Sequence, residues 1–208
     1  MWEEAFGDAA AQAYVSAGEL VFRAGEAPRI ALIRAGVVRV FIHTAAGRQL
    51  TIRYARQGDV IGLTPLLGGF NTWNAEAVVT TTFAVLTIEQ VQAAATLHPD
   101  LPWLIAEHIA TLTCNTVLTL ADNSSQPMTA RVARHLREMT LRAPDGRAVA
   151  RISHQRLADA VGTAREVISR QLRALRAEGV IETHPGRLIV VNEERLEGIA
   201  AGGSLAGV

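Results

Sequence analysis

The sequence predicts an α+β chain in three parts: an N-terminal antiparallel β jelly roll of cupin-like kind, a long dimerisation helix, and a C-terminal winged helix-turn-helix. Three observations predict it. Residues 17–88 alternate short Val- and Thr-rich runs with glycine-containing turns, which is the pattern of an antiparallel barrel or roll. Residues 100–120 repeat apolar side chains mostly three and four apart, over a span unusually long for a helix inside a compact domain. Residues 153–190 read as helix, tight turn, helix, strand, turn, strand.

Length and composition bound the rest. The chain has 208 residues, enough for one large domain or two small ones with sizeable cores. Its 49% apolar content includes no run expected to reach bilayer-spanning length. The start, MWEEAFGDAAAQAY, has acids early and no basic stretch before an apolar core, unlike a signal peptide. The single cysteine, Cys114, excludes an internal disulfide and an all-cysteine cluster. These features predict a cytoplasmic protein with no membrane partner. The zero net charge hides an asymmetry. All 20 basic residues are Arg; residues 1–127 hold 7 of them against 11 acids, about −4, and residues 128–208 hold 13 against 9, about +4. A basic C-terminal third on a neutral chain suits a polyanionic partner for that third alone. The lack of Lys says little about mechanism.

The elements follow in order. VVRVFIH (37–43) and QLTIRYA (49–55) are strand runs joined by TAAGR, a hairpin signal with glycine at the turn. RQGDVIG (56–62) sets turn residues around a short strand, and AEAVVTTTFAVLTI (75–88) is dense in β-branched residues. IEQVQAAATLH (88–98) has helical spacing. In the long helix Leu101, Leu104, Ile105, Ile109, Leu112, Thr116 and Leu120 recur with polar interruptions too frequent for a clean heptad. A helix apolar on two faces, one of them pairing with a second copy, is the preferred reading; a core helix of one domain is the alternative. ADNSSQP (121–127) is expected to break the helix as a hinge, with Ser125 capping the next helix and Pro127 in its first turn. MTARVARHLREMTL (128–141) is a short amphipathic helix, RAPDGR a turn and AVARI (148–152) a strand. The tail AAGGSLAGV (200–208) is expected to be disordered. The division expected is 1–98, 99–127 and 128–208.

ISHQRLADAVGTAREVISRQLRALRAEGVI carries the most chemistry. Ser153 stands at an N-cap position; Leu157, Ala160 and Val161 face inward; Gly162 permits the positive φ that ends a helix; Thr163 can cap the next one. On that second helix Ile168, Leu172 and Leu175 form the packed stripe at i, i+4, i+7. Arg165, Glu166, Ser169, Arg170 and Arg173 then form another stripe roughly a third of a turn away. A second helix so built enters the major groove of double-stranded DNA. Arg donates two hydrogen bonds to guanine N7 and O6, and Glu accepts from cytosine N4. Base readers are therefore Arg165, Glu166, Ser169 and Arg170, with Thr163 and Arg173 placed against phosphate. T-A-R-E at 163–166 is also a capping box, which alone would explain Glu166 but not its co-facing neighbours. GVIETHPGRLIVVN reads as a wing with Arg187 near its tip, in reach of phosphate.

With these residues in view, the chain resembles the CRP/FNR family of bacterial transcription regulators over nearly its whole length. Gly18-Glu19, Gly25-Glu26, Gly36, Gly47, Gly58-Asp59 and Gly62 resemble the spaced turns of the family's β-roll sensor domain, and His98-Pro99-Asp100 the start of its dimer helix. Arg165-Glu166 with Arg170 is the most specific match. Glu166, Ser169 and Arg170 fit the oxygen-sensing branch, and Arg165 is what the cyclic-AMP branch adds. The resemblance implies a homodimer presenting two helices about 34 Å apart, one turn of DNA. It implies a palindromic operator with half-sites near TGTGA or TTGA, phosphate contacts from Thr129, Gln155 and Arg187, and RNA polymerase as a further partner. Thr129 as a helix cap, and Gln155 and Arg187 as plain surface, are the alternatives.

The effector is where the chain departs from its relatives. By the resemblance, a cyclic nucleotide site needs Glu after the second glycine of a GDVIG-like stretch and Arg-Ser about ten residues on. GDVIGLTPLLGGFNTWNAEA offers Leu63 and Trp73-Asn74 there, and Leu112 stands where a basic residue often sits, although Thr116 is retained. A phosphate with no cation is poorly held, so cyclic AMP is not expected. An iron–sulfur cluster needs several cysteines, and Cys114 alone cannot serve. Haem stays open, with His43 or His108 as ligand; a small apolar effector, or none, is preferred. The expected pocket comprises Ile61, Gly62, Leu63, Trp73, Asn74, Leu112 and Thr116.

Two other classes compete. A β-barrel metalloenzyme needs His and carboxylates gathered on adjacent strands, but His43, His98, His108, His135, His154 and His184 are scattered; no enzyme is expected. A nucleotide-binding module acting on something other than DNA would lack the phosphate ligands.

Overall fold

The computed structural model describes residues 11–203 except 28, 46 and 70. The expectations for the first ten residues and for 204–208 lie outside the described residues. Eight strands come first: β1 (Ala11–Val15), β2 (Leu20–Phe22), β3 (Ile30–Ala35), β4 (Val37–His43), β5 (Gln49–Arg56), β6 (Val60–Ile61), β7 (Asn74–Ala77) and β8 (Thr81–Leu86). Helix α1 (Ile88–Leu97) and the long helix α2 (Leu101–Ser125) follow. Then come α3 (Met128–Met139), β9 (Leu141–Arg142), β10 (Ala148–Ala150), α4 (His154–Val161), α5 (Arg165–Ala177), β11 (Ile181–His184), β12 (Arg187–Val190) and α6 (Glu193–Ala200). The chain groups into two compact units, one of the residues up to 42 with 52–118, the other of 43–51 with 119 onward.

In the first unit two four-stranded sheets run in the orders β1-β8-β3-β6 and β2-β7-β4-β5, the interleaving of a double-sheet jelly roll. Strand β3 shows why the roll is stable. Its side chains alternate by the two-residue period of a strand. Ala31 and Ile33 pack with Val38, Val40, Ala55, Ala75 and Phe83 between the sheets. Ile30 and Leu32 point the other way and pack with Leu86, Val91, Leu101 and Ile105, where α1 and α2 cover the sheet. Gly62 (φ 93°) is required as glycine, because a Cβ there would collide with the Arg29 carbonyl oxygen. Helix α1 is closed by a full capping box between Thr87 and Gln90. A buried ion pair ties neighbouring strands: Arg39 Nη2 meets Glu76 Oε2 at 2.9 Å, with the guanidinium 4.1 Å from the Phe41 ring centre.

The second unit packs α3, α4, α5 and α6 with the sheet β11-β12-β10-β9. Its core draws Val132, Leu136 and Met139 from α3, Leu157 and Val161 from α4, Ile168, Leu172 and Leu175 from α5, and Leu196 and Ile199 from α6.

Several sequence expectations need correction. The run 75–88 needs none: it forms strands as expected, β7 and β8, with a bend between them. The segment ADNSS does not break α2, which continues through Ser125. Ser125 caps nothing: its hydroxyl donates back to the Ala121 carbonyl at 2.9 Å. Pro127 is the N-cap residue of α3 rather than a first-turn residue, and no side chain caps that helix. Helix α6 was not anticipated, although Asn192, whose side chain accepts from Arg195 N, and Glu193-Glu194 in the first turn are ordinary helix-start signals. By length and composition alone Leu101–Ala121, with a mean hydropathy of 1.3, is long and apolar enough to cross a membrane, against the expectation that no run is.

Candidate nucleic-acid interface and cavity

The two-helix unit is assembled from local rules. Ser153 Oγ accepts from Arg156 N at 3.2 Å and starts α4. Gly162 ends it in the left-handed region, φ 75° and ψ 40°, with its amide on the carbonyls of Ala158 and Asp159. Arg131, from α3, donates to the Val161 carbonyl at 2.6 Å and fixes the end of α4. Helix α5 then buries Ile168, Leu172 and Leu175, which turns the opposite face outward.

On that outer face Arg165, Glu166 and Arg170 are exposed. Among the described residues they make no hydrogen bond and no ion pair with the chain. The sequence left open whether Glu166 is held in a capping box. It is not: the N-cap of α5 is Ala164, and no side chain caps the helix. Thr163 therefore does not cap it either; its amide donates to the Ala158 carbonyl, and Thr163 is half-buried. Ser169 is half-buried, and its hydroxyl lies 3.0 Å from His154 Nδ1 at the start of α4. His154 was missed by sequence reasoning. Its signal was available: it is the first residue of the first helix, next to the Ser153 cap, where side chains face the same side as α5.

The expected phosphate contacts are placed as follows. Arg173 is exposed, its Nε donating to the Ser169 carbonyl at 3.3 Å. Gln155 is exposed and donates to Asp159 at 2.9 Å, one helical turn on. Thr129 gives its hydroxyl hydrogen to Gln171 Oε1 at 2.6 Å. Arg187 is exposed at the first position of β12, paired in register with His184 across the Pro185-Gly186 turn. Of these four, Arg173 on α5 and Arg187 at the wing are the cationic ones, both exposed.

A second feature lies wholly in the first unit. Strands β4, β5 and β6, Trp73 and one face of α2 border an open cavity of about 360 Å³. Ile61, Gly62, Leu63, Trp73, Leu112 and Thr116 all line it. Asn74 does not: it is buried in β7, where Oδ1 accepts from Ala24 N at 3.1 Å. Trp73 also meets Phe22 edge-on, ring centres 5.9 Å apart. The unexpected wall residue is Arg53 on β5. Its Nη2 donates to the Val60 carbonyl at 2.8 Å and its Nη1 lies 3.9 Å from Asp59 Oδ2. Burial pulls the guanidinium below its ordinary range, and Asp59 opposes that. The sequence did carry a clue, because Arg53 stands two residues before the inward-facing Ala55 on one strand.

His108 is not among the cavity's lining residues. Burial, with the Arg53 charge adding, holds its imidazole below the ordinary value, against the opposing effects of a Val60 backbone bond and Asp59. His43 belongs to the second unit, beside Arg48, Asp159 and Thr163. None of the cavity's lining residues is a His, Cys or Met, so the lining as it stands offers haem no ligand. Leu63 is buried in the wall at the position where the family resemblance would put a ribose-binding Glu, and Arg53 is the one cation in the lining. Among the described residues no three His, Cys, Asp or Glu side chains gather to hold a metal.

Comparison with known proteins supplies independent evidence. Residues 12–98 match the model of the cyclic nucleotide-binding domain, and residues 130–199 that of the Crp-like helix-turn-helix domain. The global nitrogen regulator of Synechocystis sp. is 27% identical over 83% of this chain and 80% of its own. A cyclic AMP receptor protein of Thermus thermophilus is 33% identical over 89% of this chain and 86% of its own. Among solved structures, a CRP/FNR-family transcriptional regulator, also from Thermus thermophilus, superposes with a TM-score of 0.76 at 24% identity, covering 93% of this chain and 100% of that one.

Proposed function

The chain belongs to the CRP/FNR family of DNA-binding transcription regulators, and from that premise we propose that it acts as a homodimer on a palindromic operator, read by the exposed face of α5. It is a regulator and not an enzyme. In the reading proposed, Arg165, Glu166, Ser169 and Arg170 contact base edges, and Thr129, Gln155, Thr163, Arg173 and Arg187 contact phosphates. A half-site near TGTGA or TTGA agrees with the pairing of Arg with guanine and of Glu with the cytosine amine. Action on DNA in a bacterium implies the cytoplasm and makes RNA polymerase the natural downstream partner.

One observation supports the reading most: three charged side chains stand exposed on α5, unspent within the chain, on a stripe roughly a third of a turn from the buried Ile168, Leu172 and Leu175. Charges left without partners beside an uncapped helix start offer little to stability. They suit a ligand that supplies both guanine acceptors and a cytosine donor.

The homodimer rests on α2. Its outer face carries Trp103, Ala110, Cys114, Val117 and Ala121, all exposed, at the 3.5-residue spacing of a two-stranded seam. Trp103 is 76% exposed and Leu118 63%. A soluble partner face of this chemistry is covered most simply by a second copy of itself.

The test is a gel-shift titration with palindromic duplexes built on TGTGA and on TTGA. Arg170→Ala is expected to lose about 1–3 kcal/mol of discrimination per half-site. Arg165→Ala is expected to relax choice at one base pair, leaving the rest of the site intact. Unchanged binding in both variants would remove α5 as the reading surface.

A further inference from the structure

We propose that the cavity between the roll and α2 takes a small amphiphilic monoanion, a carboxylate on an apolar body, and that Arg53 recognises its head. The proposal rests on the regulator reading and names the chemistry of that regulator's effector.

The walls decide the body. Val40, Ile61, Leu63, Trp73, Leu112 and Val117 present hydrocarbon to a space of about 360 Å³, a volume at the small end of ligand sites. The polar inventory decides the head. Thr113 and Thr116 both line the cavity, but each hydroxyl hydrogen is given to a carbonyl one turn back, Ile109 and Leu112, at 2.8 Å. These two hydroxyls keep only lone pairs for a ligand, which leaves Thr64 as the lining hydroxyl with a hydrogen to give an anion. Arg53 is the one cationic side chain in the lining. Its guanidinium has five N–H groups, of which one goes to the Val60 carbonyl while a second nitrogen stands 3.9 Å from Asp59. The others have no partner among the described residues and sit beside hydrocarbon, the setting in which a charge-assisted hydrogen bond counts most.

Charge then limits the class. Asp59 offsets part of the Arg53 charge, so a dianion would enter with most of its charge unmatched. A neutral alcohol would accept a hydrogen bond but bring no charge to match what Asp59 leaves of the guanidinium. A cyclic nucleotide adds ribose hydroxyls, against which the lining sets the buried Leu63 rather than an acid. A monocarboxylate satisfies both demands.

The site also has a way to matter. Ile109, Leu112, Thr113 and Thr116 belong to α2, and Val117 both lines the cavity and is 59% exposed on the outer seam of that helix. A ligand pressing on this face shifts the helix that carries the pairing surface, so occupancy and subunit pairing are linked.

Isothermal titration of the full-length protein tests this with hexanoate, octanoate and phenylacetate, their matching alcohols, and cyclic AMP. At least one acid is expected to bind about tenfold or more tightly than its alcohol, the lower end of what a hydrogen bond to a charged group supplies. R53Q should erase that difference while keeping the alcohol's affinity, and L112W, which fills the space, should abolish both. Circular dichroism checks that each variant is folded. If R53Q does not fold, the acid-over-alcohol preference in the unaltered protein and its loss in L112W carry the test. The proposal is overturned if no acid binds, if acids and alcohols bind alike, if folded R53Q keeps the preference, or if cyclic AMP binds in their place. DNA binding is measured separately by anisotropy. Lost DNA recognition with intact acid binding sinks the regulator reading alone; intact recognition with no acid binding sinks only this proposal.

Discussion

His154 shows how much a single contact can decide. Its Nδ1 lies 3.0 Å from the Ser169 hydroxyl. A neutral ring carrying its proton on Nε2 accepts the Ser169 hydrogen, and Ser169 then offers lone pairs to whatever lies in front of it. A ring that donates from Nδ1 leaves the hydroxyl hydrogen free for an acceptor. His154 is therefore a positioning residue for a base reader. His154→Ala should change preference at the base pair facing Ser169 more than it changes overall affinity. In a double-mutant cycle with Ser169→Ala the double variant's loss should fall short of the sum of the two single losses by about 0.5 kcal/mol or more. Additive losses in competition titrations, with no shift in base preference, would assign His154 a merely structural role. At this scale the sequence was legible wherever one residue answers to one local rule. The Ser153 cap and the Gly162 turn follow from propensity and backbone sterics. Arg53 and His154 were not legible, because their meaning comes from partners distant in sequence, Val60 seven residues on and Ser169 fifteen.

Periodicity carried the elements. The two-residue alternation in β4 and the stripe of Ile168, Leu172 and Leu175 marked strand and helix in the sequence itself. Boundaries were lost where helix-breaking composition met a helix stabilised by its own turns. Ser124 and Ser125 both donate to Ala121 and let α2 run on to Ser125. The same helix shows two faces. Leu101 and Ile105 are buried against the roll, while Trp103, Cys114 and Val117 face solvent. The seam proposed on the outer face brings Cys114 of one subunit against the same residue of the other. Mild oxidation should then give a covalent dimer on a non-reducing gel, reversed by thiol and absent in Cys114→Ser. A protein that stays uncrosslinked, and sediments as a monomer at micromolar concentration, would remove α2 as a pairing element.

On the scale of the whole molecule, stability and function respond to acid through identifiable groups. Burial, with the Arg53 charge adding, lowers the pKa of His108. The unfolded chain takes up this proton near the ordinary value of 6.5, whereas the folded chain resists it to lower pH. Between those values the unfolded state binds more protons, so stability is intact above the ordinary value and is lost as pH falls through the folded one. Urea unfolding between about pH 7.5 and about pH 5 should show this decline, and His108→Gln should flatten its share. An identical acid slope in the variant would show that other groups carry it. The charge asymmetry belongs to this scale too. The basic C-terminal third was visible in a count of residues, and the fold exposes Arg165, Arg170 and Arg173 on α5 and Arg187 at the wing. What no count could give was the cavity, which forms only when β4, β5, β6 and α2 come together.

The central claim is that two copies of α5 read one operator. Selection of bound sequences from a random duplex pool, using the unaltered full-length protein, tests it most directly. The selected pool should be enriched in an inverted repeat whose half-sites are centred about 10–10.5 base pairs apart, or a multiple of that, with each half-site containing a guanine that Arg170→Ala no longer demands. Enrichment of no inverted repeat at low or physiological salt, with or without the monocarboxylates, would contradict it.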